Sequence, residues 1–311
     1  MKADYHRIVA AHLLLCLPTA AFSQSTDDTE VQYSSKGADT CLACHQDPAV
    51  LSLFGGKHAV PTDPYGPFGS GQLQCEACHG PGGVHAGRVR RGQERSAVIR
   101  FGAGSETDIG VQNGMCLECH RRDVGFAWHT GPHGDDQVAC ADCHAIHTSA
   151  DPVLATATQP DVCADCHQLQ KSEMLKAFAH PLFENKMECS ACHSVHGEQI
   201  ASNLIGDTLN DTCYQCHAEK RGPYLWEHAP VTEDCSLCHA PHGSNHPGML
   251  TQRAPLLCQS CHSQSGHPSL GYGADGLAAG VPSKYLLGQG CLNCHSQVHG
   301  SNHPSGSKLM R

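Results

Sequence analysis

The chain has 311 residues, a formal net charge of −10, and only 5% aromatic residues against 32 Gly and 18 Pro. The charge excludes a nucleic-acid partner, because phosphate contact needs an excess of Lys and Arg. The composition excludes an ordinary aromatic-rich core, and no stretch is apolar for the ~20 residues that a spanning helix needs.

The first element in chain order is an export signal. Lys2, His6 and Arg7 form a basic start, Ile8 to Leu17 is apolar, and Ala21-Phe22-Ser23 has small residues where a signal peptidase reads. Residues 1–23 are expected to be cleaved after Ser23, leaving 24–311 as one domain. A retained anchor would need a longer apolar run, and Leu15 before Cys16 is too large for a lipoprotein site. The mature chain keeps 20 cysteines, with 18 basic and 29 acidic residues for a charge of −11. Residues 24–40 are polar and read as loose chain.

From residue 41 onward every cysteine belongs to a Cys-x-x-Cys-His motif, and there are ten. They are Cys41, Cys44, His45; Cys75, Cys78, His79; Cys116, Cys119, His120; Cys140, Cys143, His144; Cys163, Cys166, His167; Cys189, Cys192, His193; Cys213, Cys216, His217; Cys235, Cys238, His239; Cys258, Cys261, His262; and Cys291, Cys294, His295. This is the attachment signature of haem c: two thiols add to the two vinyl groups of one porphyrin, and the His ligates the iron from below. A disulfide scaffold, zinc pairs or redox dithiols would also use paired cysteines. None of them explains a His after every pair. Ten haems would also supply the apolar surface that the side chains lack.

A second His follows each motif before the next begins. After the odd motifs come His58, His133, His180, His228 and His267; after the even motifs come His85, His147, His196, His242 and His299. These are the candidate distal ligands, giving ten bis-His haems arranged as five two-haem repeats that start near 41, 116, 163, 213 and 258. His129, His246 and His303 are surplus. His133 is preferred to His129 because it lies seven residues before the next cysteine, as His228 does. Met ligation is disfavoured, since no Met recurs at a fixed place. His193 and His196 are three residues apart, and the ~11 Å of extended chain between them cannot round a porphyrin. His196 is therefore expected on another haem, most simply the preceding one. The wider expectation is cross-ligation inside each repeat.

Three further segments stand out. Residues 86–110 form the longest early gap and carry Arg88, Arg90, Arg91, Arg95 and Arg100, a solvated loop or a docking or propionate-binding segment. Gln168 to Ala179 has apolar residues at near-helical spacing, and residues 268–290 are a Gly-rich loop. Strand signals are weak throughout. The expected fold is a multihaem cytochrome c: irregular chain and short helices wrapped round an elongated chain of haems. At about 29 residues per haem, neighbouring haems must lie close. With every motif ending in His and distal candidates in surplus, electron transfer is favoured over bond chemistry.

The stretch from Cys213 through Tyr224-Leu-Trp-Glu-His228-Ala-Pro-Val to Cys238-His239-Ala-Pro-His242-Gly resembles the MtrA/DmsE family of decahaem cytochromes, with relatives of the PioA and MtoA type. Cys75-Glu-Ala-Cys-His79-Gly-Pro-Gly and Asp151-Pro-Val-Leu resemble it too, and the likeness covers about residues 40–300. It implies a non-enzymatic electron carrier associated with the outer membrane on its periplasmic side, seated partly inside a porin-like β-barrel protein. It also implies periplasmic or inner-membrane cytochromes as partners, and an extracellular donor or acceptor that includes multihaem cytochromes. Metal or dimethyl sulfoxide reduction, or iron oxidation in the reverse direction, are the implied uses. The family's distal ligands carry over best onto His133, His228 and His242, and less closely onto His58 and His267. A soluble periplasmic shuttle feeding a terminal reductase is the alternative, and a multihaem enzyme a more distant one.

Overall fold

A computed structural model describes residues 32–124, 126–135, 137–197, 201–262 and 291–311. The export signal, His267 and the Gly-rich loop lie outside the described residues.

Five helices set the rhythm of the chain: α1 (Ala38–Leu42), α2 (Ile109–Val124), α3 (Gln159–Ala164), α4 (Leu209–Tyr214) and α5 (Ala254–Gln259). Each carries the first cysteine of an odd motif. Local chemistry starts them. Pro160 and Pro255 occupy the first turns of α3 and α5, where a missing N–H costs nothing. Thr208 caps α4 by accepting from the Asp211 N–H. The even motifs are single turns, among them Glu76–His79, Cys140–Cys143, Cys189–Ala191, Cys235–Leu237 and Cys291–Asn293. From the second repeat onward each helix packs against the even-motif turn that follows it.

Buried amide side chains clamp these pairs together. Asn113 on α2 donates to the Val138 carbonyl (3.0 Å) and accepts from the Cys140 N–H (2.8 Å). Asn210 on α4 does the same to Val231 (3.1 Å) and Cys235 (2.8 Å). On α3, Gln159 accepts from the Ser190 N–H (3.1 Å). All three are buried.

Extended pairing is limited, among the described residues, to four isolated bridges: Phe178 with Ser244, His193 with Leu204, Trp226 with Ser301, and His239 with Leu250. One of them shortens the expected helix at 168–179. It runs only over Gln168–Met174, because Phe178 exchanges both backbone bonds with Ser244 (2.9 and 2.8 Å) and the chain must straighten to reach it. Its apolar spacing faces no protein interior: Leu169 and Leu175 are 67% and 68% exposed.

The polypeptide alone encloses little. The buried apolar residues are scattered and mostly small, among them Ala38, Leu53, Ala59, Ala139 and Ala164. The fold is a multihaem cytochrome c fold, mostly irregular chain with short helices and little strand, and its motifs follow one another along an elongated path.

Candidate cofactor-binding centres

The motifs share one local geometry. In nine of them the His N–H bonds back to the carbonyl of the first cysteine at 2.9–3.0 Å, as in His45 to Cys41 (3.0 Å) and His239 to Cys235 (2.9 Å); Cys116 to His120 lies within α2. This single helical turn puts the two thiols on one face, three residues apart, with the imidazole beside them. None of the described cysteines from Cys41 to Cys294 is paired in a disulfide.

The thiols also show how the motifs are ordered. Within repeats the first cysteines of neighbouring motifs touch: Cys41 with Cys75, Cys116 with Cys140, Cys163 with Cys189, Cys213 with Cys235 and Cys258 with Cys291. Between repeats Cys78 faces Cys116 and Cys119, Cys143 faces Cys163 and Cys166, Cys192 faces Cys213 and Cys216, and Cys238 faces Cys261. Motifs one to ten are thus neighbours in chain order.

Nine motif histidines each face one further His across a fixed gap. Ring centres lie 6.3 Å apart for His45 and His85, 5.9 Å for His79 and His147, 6.0 Å for His120 and His58, and 6.1 Å for His144 and His196. The series continues with His167 and His133 (6.0 Å), His193 and His242 (6.1 Å), His217 and His180 (6.4 Å), His239 and His299 (6.1 Å), and His262 and His228 (6.0 Å). A metal held between two imidazoles sits roughly 2 Å from each nitrogen, and each nitrogen is about 1 Å from its ring centre, so the centres should stand about 6 Å apart. Each of these pairs joins one motif His to one candidate distal His. The partner expected for His295 is His267, outside the described residues.

Hydrogen bonds fix the rings. Nδ1 donates to a backbone carbonyl in His79 (Ile99, 2.7 Å), His85 (Ser96, 2.8 Å), His133 (Val195, 3.1 Å), His180 (Pro241, 2.9 Å), His193 (Ser202, 2.9 Å), His228 (Val298, 2.9 Å), His239 (Gly248, 2.8 Å) and His295 (Lys308, 2.7 Å). That leaves Nε2 as the bare, metal-facing nitrogen. His303 differs, since its Nδ1 accepts from the Ser305 N–H at 3.2 Å. Burial lowers the pKa values of His58, His147, His196 and His299, favouring the neutral ring that ligation needs.

The pairing corrects the expectation of cross-ligation inside each repeat. His85 does face the His of motif one, in its own repeat. The others cross the seams. His58 reaches motif three and His147 reaches back to motif two; His133 and His196 exchange likewise between motifs five and four. His196 therefore faces motif four, not the preceding motif five. His180 and His242 exchange between motifs seven and six, and His228 and His299 between motifs nine and eight. The physical reason lies in how the two distal segments pair. His180 bonds the carbonyl before His242 and His228 the carbonyl before His299, so one segment runs forward and its partner back across the same seam.

The Arg-bearing gap also differs from a free loop. The Ile99 and Ser96 carbonyls hold His79 and His85, and Arg95 Nη1 donates to the His85 carbonyl at 2.5 Å. What the sequence concealed was this set of bonds, together with Asn113 and Asn210. The Asn three residues before Cys116 and again before Cys213 was its visible trace.

Zinc would need three or four protein ligands, and among the described residues no three His, Cys, Asp or Glu side chains gather round one point. Two opposed imidazoles beside two thiols fit a metal that brings its own equatorial ring. The sequence comparisons agree. Residues 180–222 and 228–267 match the doubled CXXCH motif family, and 75–159 match the NrfB-like cytochrome c-type proteins. The multiheme cytochrome MtrA of Shewanella baltica is 49% identical over 285 residues, 91% of this chain and 84% of that protein. The chain belongs to the MtrA family of multihaem c-type cytochromes. The cytochrome c-type protein NrfB of Escherichia coli is 31% identical over 50% of this chain and 78% of its own. The high-molecular-weight cytochrome c of Nitratidesulfovibrio vulgaris is 23% identical over 61% of this chain and 31% of its own length. Membership makes this MtrA-family chain a covalent haem c protein and an electron carrier rather than an enzyme.

Proposed function

We propose that mature residues 24–311 form one domain of five two-haem repeats that carries ten bis-His haems, and that this domain conducts electrons across the outer membrane from within a porin-like barrel. The observation that supports it most is the unbroken succession of nine His pairs at 5.9–6.4 Å, in motifs that neighbour one another in chain order. Bound haem supplies a one-electron iron couple in an apolar macrocycle. With an imidazole facing it from each side, a bound haem iron would offer no open position for substrate. Thiols such as Cys41 and Cys44 hold the porphyrin edge, and the carbonyls set ring orientation. His267, outside the described residues, is the second ligand we assign to the tenth centre.

No helix among the described residues is long and apolar enough to span a membrane, so a barrel partner would supply the lipid-facing surface. Export to the periplasm follows from the signal at 1–23. Periplasmic or inner-membrane cytochromes would exchange electrons at one end and an extracellular multihaem cytochrome, metal, dimethyl sulfoxide or ferrous iron at the other. The test is co-purification with a β-barrel protein, followed by electron transfer across a liposome wall to an enclosed dye. Recovery as a free periplasmic protein that reduces only soluble partners would replace the conduit with a shuttle. Pyridine haemochrome analysis should return ten haems per chain.

A further inference from the structure

In seven of the nine described His pairs one ring is held through Nδ1 by a backbone carbonyl, whereas at the fourth centre the Nδ1 bond of the motif His goes to a carboxylate. Resting on the bis-His reading, we propose that Asp151 sets the potential of the fourth centre below its neighbours, with Glu173 acting in the same sense, more weakly, at the sixth.

His144 is a motif His whose Nδ1 meets a carboxylate oxygen, Asp151 Oδ2, at 2.7 Å. Asp151 is held for this contact. Its Oδ1 accepts from the Ala145 N–H (3.2 Å) and the Val153 N–H (3.3 Å), and its side chain is 13% exposed. Among the described residues its ion pair is with His144, not with a Lys or Arg. The opposite ring, His196, packs edge-on against buried Trp128, with ring centres 6.1 Å apart; on the charged side it is the burial of the Asp151 side chain, 13% exposed, that preserves the strength of the interaction. A carboxylate pulling on the Nδ1 proton makes Nε2 a stronger donor to iron. It also adds a negative charge to the assembly. Both stabilise the ferric state, which an added electron converts to the less positive ferrous state, so the electron resides less readily here. Hydrogen bonding to an axial ligand is one of the protein's levers on haem potential.

At the sixth centre Glu173 Oε2 lies 3.3 Å from His242 Nδ1. The contact is longer, and Lys176 Nζ, 3.6 Å from the other oxygen, offsets part of its charge. Glu219 is 3.9 Å from His217 Nδ1 with both side chains more than half exposed, too far and too wet to act alike. Electrons passing along the chain would therefore meet a step at centre four and a smaller one at centre six.

Asp151→Asn keeps an acceptor and removes the charge. In a spectroelectrochemical titration of the full protein, one of the ten one-electron components should move to higher potential. Haem content and the low-spin spectrum should stay unchanged. Glu173→Gln should move another component by less, and Asp151→Glu should restore the low value. An unchanged titration in Asp151→Asn with all ten haems low-spin would overturn the proposal while leaving bis-His ligation standing. A high-spin haem in the unsubstituted protein would overturn both. Should Asp151→Asn lose a haem, near-infrared magnetic circular dichroism of the unsubstituted oxidised protein decides instead. One haem should show its charge-transfer band at higher energy than the others, and ten coincident bands would refute the assignment.

Discussion

At the scale of single residues, Glu76 shows how the sequence uses a buried charge. It sits between the two cysteines of the second motif, is 4% exposed, and accepts from the Ser34 N–H (2.9 Å), the Ser34 hydroxyl (2.7 Å) and the Gly82 N–H (2.7 Å). Burial raises its pKa, but the bonds from Ser34 and Gly82 outweigh it, so the carboxyl titrates below its ordinary value. A depressed folded pKa contributes stability that is fully present above the unfolded value of about 4.3 and is lost as pH falls through the lower folded value. Glu76→Gln should therefore lower stability at pH 7 by about 1–3 kcal/mol, the cost of leaving buried donors poorly met. The gap to the unsubstituted protein should close on acidification below pH ~4. Urea midpoints measured at both pH values check this; a gap that stays constant would mean the charge of Glu76 is irrelevant.

At the scale of elements, the amide clamp and the tight turns carry the argument. Asn210→Ala would strand the N–H of Cys235 and the carbonyl of Val231, so α4 should loosen from the eighth motif at a cost of about 1–3 kcal/mol. Thermal unfolding checks it, and Asn113→Ala should behave alike at the fourth motif. Gly243, which follows His242, has φ 140, and a Cβ there would run into the Glu173 carbonyl. Gly243→Ala should push the distal segment away from the sixth centre, seen as one haem becoming partly high-spin in the oxidised spectrum. These devices explain what was readable in advance. Cys-x-x-Cys-His announces itself because the two thiols must reach one porphyrin edge, and the second His after each motif marked the candidate distal ligands. The helix over Gln168–Met174 was legible in kind but not in length, because its end is set by Ser244, far along the chain. The partner of each distal His was hidden for the same reason: His133 bonds Val195, 62 residues away, and no local pattern encodes that.

At the scale of the whole molecule, the exchange of distal residues makes each repeat depend on the next. A chain of self-contained two-haem repeats would lose only its own haems on truncation. Here the His239 ring of the eighth motif faces His299, which belongs to the fifth repeat, at 6.1 Å. Ending the chain at residue 252 removes motifs nine and ten and, with them, His299. The product should retain eight haems by pyridine haemochrome, one of them high-spin in electron paramagnetic resonance and able to bind cyanide or carbon monoxide. Supplying imidazole should return it to low spin. Ligation inside repeats predicts eight low-spin haems with no response to imidazole, so the two arrangements separate cleanly. His228 would lose the ring it faces, His262, in the same truncation, but as a distal residue without a haem it contributes no spectral signal. The asymmetry follows from direction. The odd-motif distal residues His58, His133, His180 and His228 reach forward across a seam and the even-motif ones after His85 reach back, so a cut at any seam leaves one unmet iron on its N-terminal side.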